Sequence, residues 1–358
     1  MYMVFASWGV RSQVMHAKSS IHCLHGCNYH TIRAGMMNAI PSCAAPLKIG
    51  TRGSPLALAQ AAEVRARLCA AWDLPHDAFD IVVIKTSGDI IQDKPLRLVG
   101  GKGLFTKEIE EQLLDGRIDI AVHSMKDMPV MQPSGLCLDT YLPREDVRDA
   151  FIAPDMARLA DMPIGAIVGT SSLRRRAQML CIRPDIKVVE FRGNVQTRMR
   201  KLADGVADCT FLAMAGLNRL GMGDYVKAAI EPKDMLPAVA QGAIGIERRR
   251  DDRATAHLLK PLHDVTTEVR LQAERAFLAR LDGSCNTPIA GLATLAGDKL
   301  TLHGEILRPD GTQRISAKHS GPAYNSVQIG VELAETLLAQ AGDGFFDWHE
   351  NNAPTNVD

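Results

Sequence analysis

Ile118-Asp119-Ile120-Ala121-Val122-His123-Ser124-Met125-Lys126-Asp127-Met128-Pro129 is the stretch on which the fold turns. Its first five residues make a short apolar run of the kind that forms a buried strand, and the polar residues after it, closed by a proline, make a loop. Ligands in open α/β sheets collect beyond the carboxyl ends of strands, so a catalytic carboxylate is expected in this loop, and Asp127 is the candidate. By itself, Asp127 beside Lys126 reads as readily as a turn residue in a local ion pair.

Towards the N-terminus, Leu47-Lys48-Ile49-Gly50 is another short strand. Ser54 can cap a helix whose first position is Pro55, with Leu56, Ala59, Ala62 and Leu68 as its apolar face. Ile81-Val82-Val83-Ile84 is a buried-type strand, and residues 105–114 have the period of a helix that stops at Gly116. A second cycle follows: Ile167-Val168 leads into Gly169-Thr170-Ser171-Ser172 and a helix from Leu173, with further strands at residues 187–191 and 209–213. This alternation predicts α/β layering around a mainly parallel sheet. Gln241-Gly242-Ala243-Ile244-Gly245-Ile246 can return as a strand to the first unit. From Thr266 a helix runs through Leu281 to Gly283. Alternating runs near Ile289, Leu300 and Ile315, joined by Gly-Asp and Pro-Asp-Gly turns, predict a small antiparallel sheet covered by a helix near Val331.

The 358 residues exceed one ordinary core and fit two or three domains. A composition of 46% hydrophobic and 23% charged residues, with no apolar run long enough to span a bilayer, argues against a membrane protein. Lys+Arg and Asp+Glu both total 41, so any anion site must be built locally, and a nucleic-acid partner is not expected. Cys23, Cys27, Cys43, Cys69, Cys137, Cys181, Cys209 and Cys285 follow no repeating spacing, which points to free thiols in a reducing compartment. Residues 1–46 contain no Asp or Glu. They read as a translated upstream stretch, with Met36-Met37 as a later start, or alternatively as an organellar transit peptide. His22, Cys23, His25, Cys27 and His30 lie close together, but no second ligand pair stands at a finger-like distance, so no metal is expected.

Four motifs carry chemistry. Thr170-Ser171-Ser172 precedes Leu173-Arg174-Arg175-Arg176, so hydroxyls and free N–H groups at a helix start adjoin three guanidiniums, a place suited to carboxylates or phosphates. Arg192 and Arg198 flank Gly193, which lets backbone approach a ligand, and Arg219 follows Gly216-Leu217-Asn218. Val99-Gly100-Gly101-Lys102-Gly103-Leu104-Phe105-Thr106-Lys107 lacks P-loop spacing and reads as an anion-tolerant lid. Asp282-Gly283-Ser284-Cys285-Asn286-Thr287-Pro288 places a thiol in a polar loop, which alone shows only that it is accessible.

Together these segments resemble the porphobilinogen deaminase family along nearly all of residues 47–341. The blocks that carry the likeness are residues 48–58, 121–127 and 169–175, Arg192-Gly193-Asn194 with Thr197-Arg198, and the Cys285 loop, in the family's order. The resemblance implies two type II periplasmic-binding-protein-like domains forming a cleft, plus a small α+β C-terminal domain with a three-stranded antiparallel sheet. On that pattern domain 1 is residues 47–147 with 237–262, domain 2 is 148–236 and domain 3 is 263–345. An N-terminal extension (1–46), expected to be disordered, and a tail (346–358) flank them.

The implied activity is that of a cytoplasmic, monomeric transferase of tetrapyrrole biosynthesis. It condenses four porphobilinogen molecules head to tail, with release of ammonia, to hydroxymethylbilane. The implied cofactor is dipyrromethane, joined to Cys285 through a thioether, and Asp127 matches the catalytic aspartate. Arg52, Arg174, Arg175, Arg192, Arg198 and Arg219 match positions that hold acidic side chains, supported by Ser54, Ser124, Lys126, Ser171 and Ser172. Lys102, Thr170, Gly193 and Gln241 complete the implied binding set. One departure is Leu98, where several members have Lys; Arg97 stands one residue earlier. The competing reading is a non-catalytic carboxylate-binding module, because a two-domain cleft lined by Arg and Ser also serves solute binding.

Overall fold

A computed structural model describes residues 40–90, 106–281 and 287–347. Cys285, Lys102, Arg97, Leu98, the helix start at Phe105 and the histidines and cysteines of residues 22–30 lie outside the described residues.

The chain begins with strand β1 (Leu47–Arg52), helix α1 (Pro55–Trp72), β2 (Phe79–Ile84), α2 (Lys107–Leu114), β3 (Ile120–Ser124) and β4 (Leu136–Tyr141). It crosses to β5 (Asp149–Ile152), β6 (Ile167–Gly169), α3 (Leu173–Ile182), β7 (Lys187–Val189), α4 (Val195–Ala203), β8 (Cys209–Ala213), α5 (Met214–Arg219) and β9 (Ala228–Ile230). It returns as β10 (Ile244–Arg249), then forms α6 (Arg253–Leu259) and α7 (Val265–Arg280). The last elements are β11 (Ile289–Ala296), β12 (Lys299–Leu307), β13 (Arg314–Pro322) and α8 (Ser326–Ala341).

The helix signals act as their chemistry requires. Ser54 accepts the Ala57 N–H at 3.3 Å, and Pro55 fills the first helical position, where an N–H has no intrahelical partner. Ser172 and Asn194 cap α3 and α4 in the same way.

Sheet one has the order β2-β1-β3-β10-β4 and sheet two the order β7-β6-β8-β5-β9. In each, three strands are parallel and one inserted strand, β10 or β5, runs antiparallel to both neighbours. Both inserted strands follow a crossing between the sheets, so the two lobes exchange a strand and share two connecting segments. This is the type II periplasmic-binding-protein arrangement. The third sheet, β11-β12-β13, is wholly antiparallel, with α7 and α8 against it.

Each lobe buries its own apolar layers, around Ile49, Val64 and Ile246 in the first and Phe151, Val168 and Phe211 in the second. The core of the third unit reaches further. Phe277, Leu302 and Leu333 belong to the same buried cluster as Met125 and Met128, the residues flanking Lys126-Asp127.

Candidate active site

After β3 the chain makes one 3₁₀ turn, Met125–Asp127. Residues three apart eclipse in such a turn, so Met125 and Met128 share its inner side, where they are 1% and 5% exposed. Lys126 and Asp127 are left to face the cleft, half-buried and exposed respectively. Gly245 on β10 makes this packing possible, because a Cβ there would overlap the Met125 sulfur. Beneath the turn, buried His123 pairs with Glu247 of β10 at 3.0 Å.

Two adjoining recesses open beside the turn. The first, about 470 Å3 and open to solvent, is lined by Arg52, Ser54, Gln60, His123, Ser124 and Asp127 among others. The second, about 300 Å3, lies between the lobes and brings together Lys126, Ser124, Arg219 and Gly242. Gln60 borders both and holds Ser124 Oγ at 2.8 Å.

The cations fall into two groups. Lys126 and Arg198 have no ion-pair partner among the described residues. Protein crowds both, and each stands in the field of further arginines. Desolvation, with repulsion from Arg175 and Arg174, pulls the Lys126 amine down to about 8. Burial and the nearby Arg175 and Arg192 pull Arg198 to about 10. Arg198 Nε donates to the Gly193 carbonyl at 2.9 Å, and Gly193 adopts φ +119°, where an L side chain would be strained.

Arg174 and Arg175, by contrast, are buried, each 5% exposed, and converge on the fully buried Asp149 at the start of β5. Arg175 Nη2 donates to Asp149 Oδ1 at 2.7 Å, and Arg174 Nη2 lies 2.8 Å from Oδ2 in an ion pair without hydrogen-bond alignment. Gln241 Nε2 donates to the same Oδ1 at 3.0 Å, so both connecting segments meet at this carboxylate. The two guanidiniums hold Asp149 well below the ordinary carboxylate range despite its burial.

The hydroxyls do structural work. Ser171 Oγ accepts the Phe191 N–H at 2.9 Å, Thr170 Oγ1 accepts Ser172 N–H at 3.2 Å, and Ser172 caps α3. Arg219 reaches across the cleft to Glu63 at 3.1 Å, a contact with no signal in the sequence. Asp149 escaped sequence reading as well.

Two cations without an ion-pair partner among the described residues, Lys126 and Arg198, beside one exposed carboxylate, suit a ligand that carries several carboxylates. A family model described as "Porphobilinogen deaminase, dipyromethane cofactor binding domain" matches residues 47–257, and "Porphobilinogen deaminase, C-terminal domain" matches residues 269–339. The chain belongs to the porphobilinogen deaminase family. It is 62% identical over 312 residues to the porphobilinogen deaminase of Paracoccus denitrificans (strain Pd 1222), covering 87% of this chain and 100% of that one. To the porphobilinogen deaminase of Nitrobacter hamburgensis (strain DSM 10229 / NCIMB 13809 / X14) it is 55% identical over 298 residues, 83% of this chain and 94% of the other. Porphobilinogen deaminase is a transferase of tetrapyrrole biosynthesis and carries a dipyrromethane cofactor. The reading as a non-catalytic binding module is not favoured by this membership.

The residues present fit that cofactor. Its pyrrole rings carry carboxylate side chains, and unpaired Lys126 and Arg198 are the groups that an incoming carboxylate would stabilise.

Proposed function

We propose that this chain is a hydroxymethylbilane synthase in which Cys285 anchors the dipyrromethane and Asp127 is the catalytic carboxylate. What carries the reading is the turn at Met125–Asp127, pinned by two buried methionines so that one carboxylate stands at the edge of a cationic cleft. When bound, the cofactor supplies a free pyrrole α-carbon that extends the chain. Lys126, Arg198, Arg192, Arg52 and Arg219 hold the acetate and propionate groups, and Lys102 and Ser124 complete the binding set. Arg174 and Arg175 add positive field from behind Asp149, and Ser54, Thr170, Ser171, Ser172, Gly193 and Gln241 shape the backbone around it. Asp127 accepts a hydrogen bond from pyrrole N–H and stabilises the cation formed as ammonia departs.

The division into residues 47–147 with 237–262, 148–236 and 263–345 is proposed to be that of the three domains. The protein is proposed to act as a cytoplasmic monomer without nucleic acid. No helix among the described residues is long and apolar enough to cross a membrane.

Intact mass spectrometry tests the anchor. Protein from cells that make porphobilinogen should exceed its sequence mass by two linked pyrroles, and Cys285→Ser should lack the increment. An unmodified wild-type mass would remove the cofactor assignment. The Lys126 amine gives a second test. Below about 8 it is charged and attracts carboxylate; above that it is neutral. The substrate kcat/KM should therefore fall as pH rises through about 8. Lys126→Arg should move that fall to higher pH, because a guanidinium keeps its charge where the amine loses it. A wild-type profile flat across that range would exclude Lys126 from substrate binding.

A further inference from the structure

Glu63 takes no part in the chemistry above, yet it joins the two lobes. On α1 and 28% exposed, it accepts Arg219 Nε of α5 on Oε2 at 3.1 Å. Its other oxygen, Oε1, accepts Arg67 Nη2 at 3.0 Å one turn along the same helix. Arg219 is 9% exposed, and its remaining described contacts are two long ones, Nη1 and Nη2 to the Gly242 carbonyl at 3.4 Å each. Its guanidinium lines the second recess with Lys126, beside the place where Leu56 of α1 packs on Gly216 of α5. A cation this enclosed is costly to leave without a counter-charge.

Building on the functional reading above, we propose that Glu63 is an intramolecular stand-in for a substrate carboxylate. It holds Arg219 across the cleft until an incoming acid side chain takes its place. The exchange leaves no charge bare at either end. Arg219 passes from one carboxylate to another, and Glu63 keeps Arg67. Binding of a carboxylate in the second recess and release of α1 from α5 thus become one event. Glu63 is a positioning and specificity residue that acts through Arg219, not a catalytic one.

Glu63→Gln keeps the shape and removes the charge. In the holoenzyme it should lower the KM for porphobilinogen about two- to fivefold, the factor that an ion pair of this exposure provides, with kcat unchanged. Arg67→Gln should move KM the other way, because Glu63 then has only Arg219. Small-angle scattering of the substrate-free proteins should give Glu63→Gln a larger radius of gyration than wild type. A purely structural ion pair would lower the melting temperature in both variants and leave KM alone. KM unchanged in both, or raised in Glu63→Gln, overturns the stand-in while the functional reading stands. A wild type that does not turn over porphobilinogen overturns that reading, and the scattering comparison then decides the cross-cleft contact by itself.

Discussion

Asp127→Asn is expected to lower kcat about 10²- to 10⁴-fold with the fold intact. The turn is held by Met125 and Met128 and by Gly245 opposite them, not by the Asp127 carboxylate, which is exposed and makes no hydrogen bond among the described residues. An amide of the same shape should therefore change stability by no more than about 0.5 kcal/mol. The electrostatic change is larger than one lost contact. Lys126 and Arg198 share the neighbourhood of Asp127, so its neutralisation leaves a field that opposes the cation formed when ammonia departs. The measurement is single-turnover kinetics on protein given preassembled cofactor, because building the cofactor draws on the same chemistry. A melting curve on the same sample checks the fold. Activity within about threefold of wild type would show that Asp127 is not the catalytic group.

Much of this site is legible where a residue's job is local. Ser54-Pro55 starts a helix whatever surrounds it, and β3 followed by a proline-closed loop puts Asp127 at a strand's carboxyl end. The return strand near Gln241 is legible as an apolar run, but its direction is not. The neighbouring strands β3 and β4 set that β10 runs antiparallel, and an alternation of side chains looks the same either way. The strands β5 and β9, four and three residues long, are too short to show a period. With β5 goes Asp149, and this is why Arg174 and Arg175 read from sequence as open anion ligands alongside Arg198. The motif displays the guanidiniums and the helix start. The carboxylate that occupies them comes from another element of the same lobe, the strand β5.

Asp149→Asn is expected to cost about 3–5 kcal/mol of stability. The fully buried carboxylate is the ion-pair partner of two guanidiniums, and it also accepts from Gln241. Its amide would leave both cations buried and bare, so the melting temperature should fall by on the order of 10 °C. The pH dependence follows from the direction of the shift. A carboxyl held below its ordinary range contributes stability that is complete above about pH 4 and is lost as pH falls towards its folded value. The gap between wild type and variant should accordingly be constant near neutrality and narrow on acidification. A second substitution separates this account from a simple packing defect. Removing one of the stranded charges, as in Asp149→Asn combined with Arg175→Met, should restore part of the lost stability, because the cost lies in the uncompensated cation and not in the missing oxygen. If denaturant melts instead show the double variant losing the sum of the two single losses, the three groups are independent, and the buried cluster is not the electrostatic unit that its geometry describes.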